Sequence, residues 1–517
     1  MSKAISRFLG LIGLSTILIA CSMGGGETGT GYDTPTTTEG VITRFGSVYI
    51  NGIRYTTESA TVLNDDVETN ESFLKIGMLV TLEGSINTTG SEGRANTIRF
   101  EKDVEGEVIE NNYATSKTLN VLGQTVHIDN DTIFDSKSTT ITSFDLITAG
   151  NVVEVSGFSS GDGQIYATRV EVKSDTRETA QEIEIQGQIT NLNGTSFNIG
   201  TLSVSAANAE FEDMLVTDLA NGLFVKVKSK LALSNGILLA EKVKLKSRKI
   251  SLDQEDEELE LAGAITSIED TNTIYVNGRR IVINDQTELE NVSLEDLAVG
   301  LKVKVKANVI GDEIIAEELE ARKVSNTKTE GLITSIDPVA LSITVNGLEL
   351  LINANTRFKD DSDSDENENR YFNFDHLAVG DKVELSFYVE TNTGLNIITR
   401  LEREEKESSG DSSGSEDESG SENDGSDGSS DSSDETNSDD SDDGSSQNND
   451  ETSEWESKGI ISALDTINQT FMLDNILIDY GKYNSDENLI DGVEVEVQGI
   501  IENGIWYSIE IEVEDDS

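Results

Sequence analysis

The chain has 517 residues, of which 98 are acidic and 38 basic, for a formal net charge of −60 at pH 7; 5% are aromatic and one is cysteine. Nucleic-acid binding depends on cationic grooves and stacking rings, so nucleic acid is excluded as an expected partner. Cys21 has no second thiol to pair with, which excludes a disulfide within the chain.

Lys3 and Arg7 precede an apolar run over residues 8–19, and Leu18-Ile19-Ala20-Cys21 closes it. A basic start, a short apolar stretch and a small residue before cysteine resemble a bacterial lipoprotein signal peptide, residues 1–20, ending in its lipobox. The run is too short for a transmembrane helix, which needs about 20 apolar residues. The resemblance implies lipidation of Cys21 by a thioether-linked diacylglycerol and usually an amide-linked acyl chain such as palmitate, with the lipid membrane as partner. Ser22 stands where an aspartate would signal inner-membrane retention in enterobacteria. The expected location is therefore the cell envelope, at the outer membrane of a Gram-negative bacterium. Residues 21–39, small and polar, read as a flexible tether.

One pattern then recurs six times, most cleanly over residues 263–320. Ile274, Val276, Ile281 and Ile283 nearly alternate with polar residues around Asn277-Gly278, the strongest short hairpin signal because both residues tolerate the positive φ of a type I′ turn. Leu294, Leu297 and Ala298 stand at helical spacing and stop at Gly300, which predicts a helix of one or two turns. Val303 and Val305 alternate with Lys302, Lys304 and Lys306, as in a half-buried strand, and residues 314–319 predict a last strand. The order predicts a mainly β protein: tandem small five-stranded OB-like barrels, each with one short helix between strands 3 and 4. An open five-stranded sheet with the helix across one face shares that order.

The copies occupy residues 40–104, 105–174, 184–248, 261–323, 329–403 and 457–514. They open at Gly40, Gly106, Gly187, Gly263, Gly331 and Gly459. The hairpin tips are Asn51-Gly52, Asn277-Gly278 and Asn346-Gly347, with Gly123, Gly200 and Asp474-Asn475 in the other copies. Self-similarity of this quality marks a repeat architecture. Short acidic joints such as residues 252–260 suggest beads on a string. The fifth copy carries an acidic insertion over residues 359–370. Residues 404–456, built from Ser, Asp, Glu and Gly, have too little apolar surface to offset ordering entropy and are expected to form a disordered linker. Trp455 falls at its end and Trp506 inside the last copy.

Gly-x-Ile-Thr openings, a Val-Asn-Gly hairpin, Leu-Ala-Val-Gly and Val-x-Val in tandem behind a lipobox resemble the bacterial domain-of-unknown-function family 5666. The resemblance covers nearly all of residues 40–401 and 458–514. Its motifs are structural punctuation, and it implies no catalytic or ligand residues. The sixth copy departs most from the pattern.

No catalytic motif emerges. The two histidines, His127 and His376, stand in no metal-ligand spacing, and no nucleophile elbow, phosphate loop or dinucleotide fingerprint appears. A hydrolase would need a carboxylate pair fixed about 5 to 9 Å apart across a cleft, which small near-identical units do not suggest. The protein is expected not to be an enzyme and to have no cofactor, calcium apart. Asp361, Asp363 and Asp365 have the alternating oxygen spacing of a calcium loop, although Glu366 and Phe372 stand where its turn glycine and bidentate glutamate belong, so only weak metal binding is expected. Lys226, Lys228, Lys242, Lys244 and Lys246 form a basic patch, expected to face the acidic run over residues 253–260, glycans or anionic surfaces. The leading expectation is a non-catalytic envelope lipoprotein whose barrels bind polysaccharide or a protein partner. The alternative is a passive spacer or anionic surface coat. Exposed aromatics on matching faces of several units would favour binding, and uniformly polar faces would favour the spacer.

Overall fold

The computed structural model describes residues 34–247, 258–311, 313–362, 370–390, 393–404, 453–473, 476–483, 489–502 and 504–513. Cys21, the signal peptide and most of the acidic linker lie outside them. Strand dominates, and helix is confined to single turns.

Each unit is built as the alternation demands. In the fourth unit the opening strand, Glu258–Asp270, pairs antiparallel with Thr273–Val276, which turns back through Asn277-Gly278 into Arg279–Val282. That third strand pairs parallel with the last, Glu313–Ala321, which lies antiparallel to Lys302–Ile310, and Lys302–Ile310 returns to the opening strand. The ring is closed in the order 1-2-3-5-4-1, with the parallel 3–5 contact of an OB barrel. The first, second, fifth and sixth units close the same way. In the third unit the opening and last strands are each interrupted, as Ile183–Gln188 with Thr190–Asn193 and as Ile237–Leu239 with Lys242–Leu245.

The expected helix is shorter than its spacing suggested: one 3₁₀ turn, Leu294–Asp296 in the fourth unit, and likewise Glu71–Phe73, Phe144–Leu146, Val216–Asp218 and Phe374–His376. A short strand before it, such as Glu288–Glu290, pairs parallel with the last strand and was not legible in the sequence. The stop glycine is a fastening point. Gly77, Gly150, Gly222, Gly300, Gly380 and Gly492 have φ between +84° and +95°. Each donates its N–H, at 2.8–2.9 Å, to the carbonyl of an apolar residue on its own opening strand: Ile42, Val108, Ile189, Ile265, Ile333 and Ile461. The opening and stop motifs are thus two ends of one contact.

The opening glycine and the hairpin asparagine are coupled in the same sense. Asn277 is buried, has φ of +50°, donates Nδ2 to the Ala262 carbonyl at 3.1 Å and accepts from the Ala264 N–H at 3.1 Å. A Cβ on Gly263 would stand 2.5 Å from its Oδ1, and the same clash arises between Gly331 and Asn346. Asn277→Ala removes these bonds and the residue's tolerance of positive φ, at an expected cost of about 2 kcal/mol. Urea unfolding followed by far-UV circular dichroism should show the midpoint fall, and an unchanged midpoint would contradict the coupling.

The units are not beads on a string. Opening strands pair between units: Thr36–Glu39 of the first lies parallel to residues 258–261 of the fourth, residues 104–105 of the second pair with 184–185 of the third, and 327–329 of the fifth with 455–457 of the sixth. Cores merge accordingly, one apolar cluster spanning units two and three and another units five and six. Val41, Phe158 and Ala264 join units one, two and four. The second unit's fourth strand, Val152–Ser159, is buried along its whole length. Thr168 Oγ1 and Arg169 Nη1 of its last strand donate to the Gly77 and Ile76 carbonyls of the first unit at 2.7 and 3.0 Å.

Two expected boundaries move. The opening strand of the first unit starts at Thr34, inside the span read as tether, because Thr36, Thr37 and Thr38 are β-branched and lie between partner strands on both sides. The last unit's opening strand is Ser453–Asp465, so Ser453 to Glu456 belong to it and not to the linker. Trp455 is buried there against Trp506, ring centroids 5.1 Å apart.

Candidate binding surface

On each hairpin a period of two turns one cross-strand pair away from the barrel. These pairs are Tyr49–Arg54, Asn120–Thr125, Asn198–Ser203, Tyr275–Arg280, Thr344–Glu349 and Met472–Leu477. Tyrosine with arginine therefore recurs at the same place in the first and fourth units, the two joined by their opening strands.

In the first unit Arg44 lies over the Tyr49 ring, 4.0 Å from its centroid, and Arg54 stands 3.9 Å from Glu92 on the last strand. Burial pushes the Arg44 guanidinium below its ordinary pKa. In the fourth unit Tyr275 donates its hydroxyl to Glu269 at 3.0 Å, and Arg280 donates Nε to the same oxygen at 3.2 Å and faces Glu313 at 3.5 Å. The bond to Glu269 raises the Tyr275 pKa. Each row crosses four neighbouring strands; in the first unit the Tyr49 ring lies between Arg44 and Arg54, and in the fourth Tyr275 and Arg280 share Glu269. Rings offer apolar faces to sugar C–H groups, and the charged groups hydrogen-bond hydroxyls. The signal was visible in Val-Tyr-Ile-Asn-Gly and Ile-Tyr-Val-Asn-Gly, but only register shows both tyrosines pointing outward beside an arginine.

The residues singled out in the sequence fare differently. Cys21, Asp363 and Asp365 lie outside the described residues. Asp361 ends the strand Arg357–Asp361, and Lys359 bridges it to Glu402. Burial, reinforced by Glu402, pushes its carboxyl up to about 8. His127 stacks on Tyr166 at 4.9 Å and bonds Gln164 at 2.8 Å, whereas His376 bonds Asn373 at 3.1 Å, and both are partly exposed. Glu290, Glu318 and Glu320 bring carboxylate oxygens within 4.8 Å of one another, but Lys306 and Lys304 hold Glu318 and Glu320 at 2.9 and 2.7 Å.

The basic patch has other partners than expected. Lys226 and Lys228 meet Glu184 and Asp65, Lys244 meets Asp66 and Glu212, Lys246 meets Glu101, and Lys242 meets Glu212. Asp65 and Asp66 form a tight turn of the first unit with φ of +50° and +68°, so the patch is a seam between units one and three. Residues 253–257 of the acidic run lie outside the described residues.

A family model described as Domain of unknown function (DUF5666) matches residues 39–98, 105–171, 186–244, 262–320 and 330–395. The sixth unit lies outside the matches yet closes the same ring. No curated protein matches the chain. Among solved structures, drosophila Unr CSD456 is similar to it at 13% identity, covering 42% of this chain and 95% of that one, with a TM-score of 0.11.

Proposed function

The chain belongs to the DUF5666 family, which brings no activity with it, and from that premise we propose that it is a non-catalytic, lipid-anchored envelope protein that binds neutral polysaccharide. The observation that carries this reading is the outward Tyr-Arg pair at the same position of units one and four. The net charge of −60 disfavours anionic polymers and leaves hydroxyl-rich neutral chains as the better match. Anchoring through Cys21 at the outer membrane rests on the lipobox and on Ser22.

The spacer reading draws support from the polar outward pairs of units two, three and five. Weak calcium binding by Asp361, Asp363 and Asp365 belongs with that reading.

Affinity electrophoresis of the mature chain through gels cast with neutral glucans or galactans separates the two. Tyr49→Ala and Tyr275→Ala should each weaken retardation roughly two- to tenfold, the worth of one aromatic contact. A double variant retarded as strongly as the parent, or a parent not retarded at all, leaves the spacer.

A further inference from the structure

Of the six outward hairpin pairs, that of the last unit, Met472–Leu477, is the one wholly apolar pair. The register extends it: Ile478 pairs parallel with Trp506, which sets Leu477 beside Ile505 at the start of the last strand. Leu477 is 57% exposed and Ile505 47%, while Phe471, Ile478 and Trp506, their neighbours in sequence, are buried. A lone exposed aliphatic side chain is ordinary, but a row of apolar ones on adjacent strands of one outer face marks an interaction surface. The same row carries Tyr275, Arg280 and Glu313 in the fourth unit, so the sheet itself imposes no apolar residue there.

The surroundings of the row are acidic. Asp465 and Asp479 stand on either side of Thr470 in the next outward row, and Glu502 faces Ile505 across the last strand pair. Lys482 bridges to Glu502 and lies 4.3 Å from the ring centroid of Tyr507, two residues beyond Ile505 on the same outer face. Residues 457–514 hold twelve acidic residues and two basic ones, Lys458 and Lys482. An apolar strip among carboxylates complements a partner that is apolar on one face and cationic beside it. A second copy of this chain brings a further charge of −60, and like charge opposes that occupant.

The dimensions of the row select a helix. Neighbouring strands lie about 4.8 Å apart, so the three side chains span about 10 Å across three strands. Seven residues of α-helix rise about 10.5 Å, so apolar positions at i, i+3 or i+4, and i+7 meet the three one for one. An extended segment repeats on one face only every 6.6 Å or about that, and falls out of step. We propose that Met472, Leu477 and Ile505 form a docking strip for a cationic amphipathic helix of a partner protein. The strip is separate from the tyrosine rows and does not depend on the polysaccharide reading.

The test is isothermal titration calorimetry of the mature chain with two lysine-leucine peptides of about 18 residues, long enough to form a helix. One has its leucines at i, i+3, i+4 and i+7; the other has the same composition with leucines scattered around the helix. Attraction to the chain's 98 acidic residues is common to both. The amphipathic peptide should bind about tenfold more tightly or better, which burial of even one aliphatic side chain can supply. Leu477→Ser combined with Ile505→Ser, both on the exposed face, should erase that preference. Equal affinity for the two peptides in the parent protein overturns the proposal, whether or not the variant folds. A preference that the folded serine variant keeps overturns it too. Sedimentation velocity and flotation with phosphatidylcholine vesicles check the rival occupants: self-association or vesicle binding that the serine variant loses gives the strip to a second copy or to a membrane, and overturns the partner helix.

Discussion

Gly157→Val should destabilise the centre of the molecule by about 3 kcal/mol, at the upper end of what overpacking costs. A Cβ there would stand 2.4 Å from the Tyr166 carbonyl oxygen and 2.9 Å from the Ala167 Cα. Both obstacles are backbone, so no rotamer change relieves them. The crowding arises at a β-bulge between the fourth and last strands, where the register slips between Ser156 and Gly157. The same slip recurs at Gly84, Ala307, Phe387 and Gly499 in other units. The strand that would be displaced carries Thr168 and Arg169, which hold the first unit, so the damage should spread beyond the second barrel.

Gly499→Ala is the matched control, because its Cβ would meet the Tyr507 carbonyl oxygen in the last barrel. The chain's two tryptophans, Trp455 and Trp506, pack in that barrel, whose core merges with that of the fifth, so their fluorescence reports this pair of barrels while far-UV circular dichroism reports the whole. In urea, Gly157→Val should lower the dichroism midpoint, and Gly499→Ala should lower mainly the fluorescence midpoint. A parental dichroism curve for Gly157→Val would refute the account of the bulge.

Lys226→Ala should cost about 3 kcal/mol, because it strips a buried cation from two carboxylates. Lys226 is 3% exposed; it lies 2.8 Å from Glu184 and contacts Asp65. Lys228, at 2.8 and 3.0 Å from the same two acids, limits the loss to the lower end of the range for broken buried pairs. The seam also predicts a pH dependence. Burial opposes ionisation of Asp65, but Lys226 and Lys228 overcome it and hold the carboxyl well below its ordinary value. A depressed acid contributes stability that is fully present above its unfolded pKa, about 4, and lost as pH falls through its folded one. Glu184 works the other way, since burial raises its carboxyl and protonation relieves it. Asp65→Asn should therefore melt below the parent at pH 7, and the gap should close as pH falls from 5 to 2. A gap that stays constant over that range would show that Asp65 does not carry the acid sensitivity.

Barrel order, hairpin tips and stop glycines were legible because they rest on local chemistry: alternation about Asn277-Gly278, and a glycine where φ must be positive at Gly300. The short strand Glu288–Glu290 was not, because three residues leave no period to read. The assembly was hidden for a different reason. Thr36, Thr37 and Thr38 look like a solvated run until a partner strand lies on each side of them, and Lys226 reads as surface charge until Asp65 arrives from 161 residues away. The tyrosine rows fall between these cases. Tyr49 and Tyr275 are conspicuous in sequence, but the strand register is what sets each beside an arginine on the outer face.

The parallel contact between Thr36–Glu39 and residues 258–261 also imposes an order of events. Units two and three, and five and six, join next-door neighbours, whereas the first unit must wait for the fourth. A chain made from its N-terminus leaves that edge without its partner while some two hundred residues follow, and closing so long a loop is slow. An unpaired edge is a template for joining the wrong chain. Threonines suit such a wait: they favour the extended form the late partner needs and offer hydroxyls, not grease, to any copy that comes first.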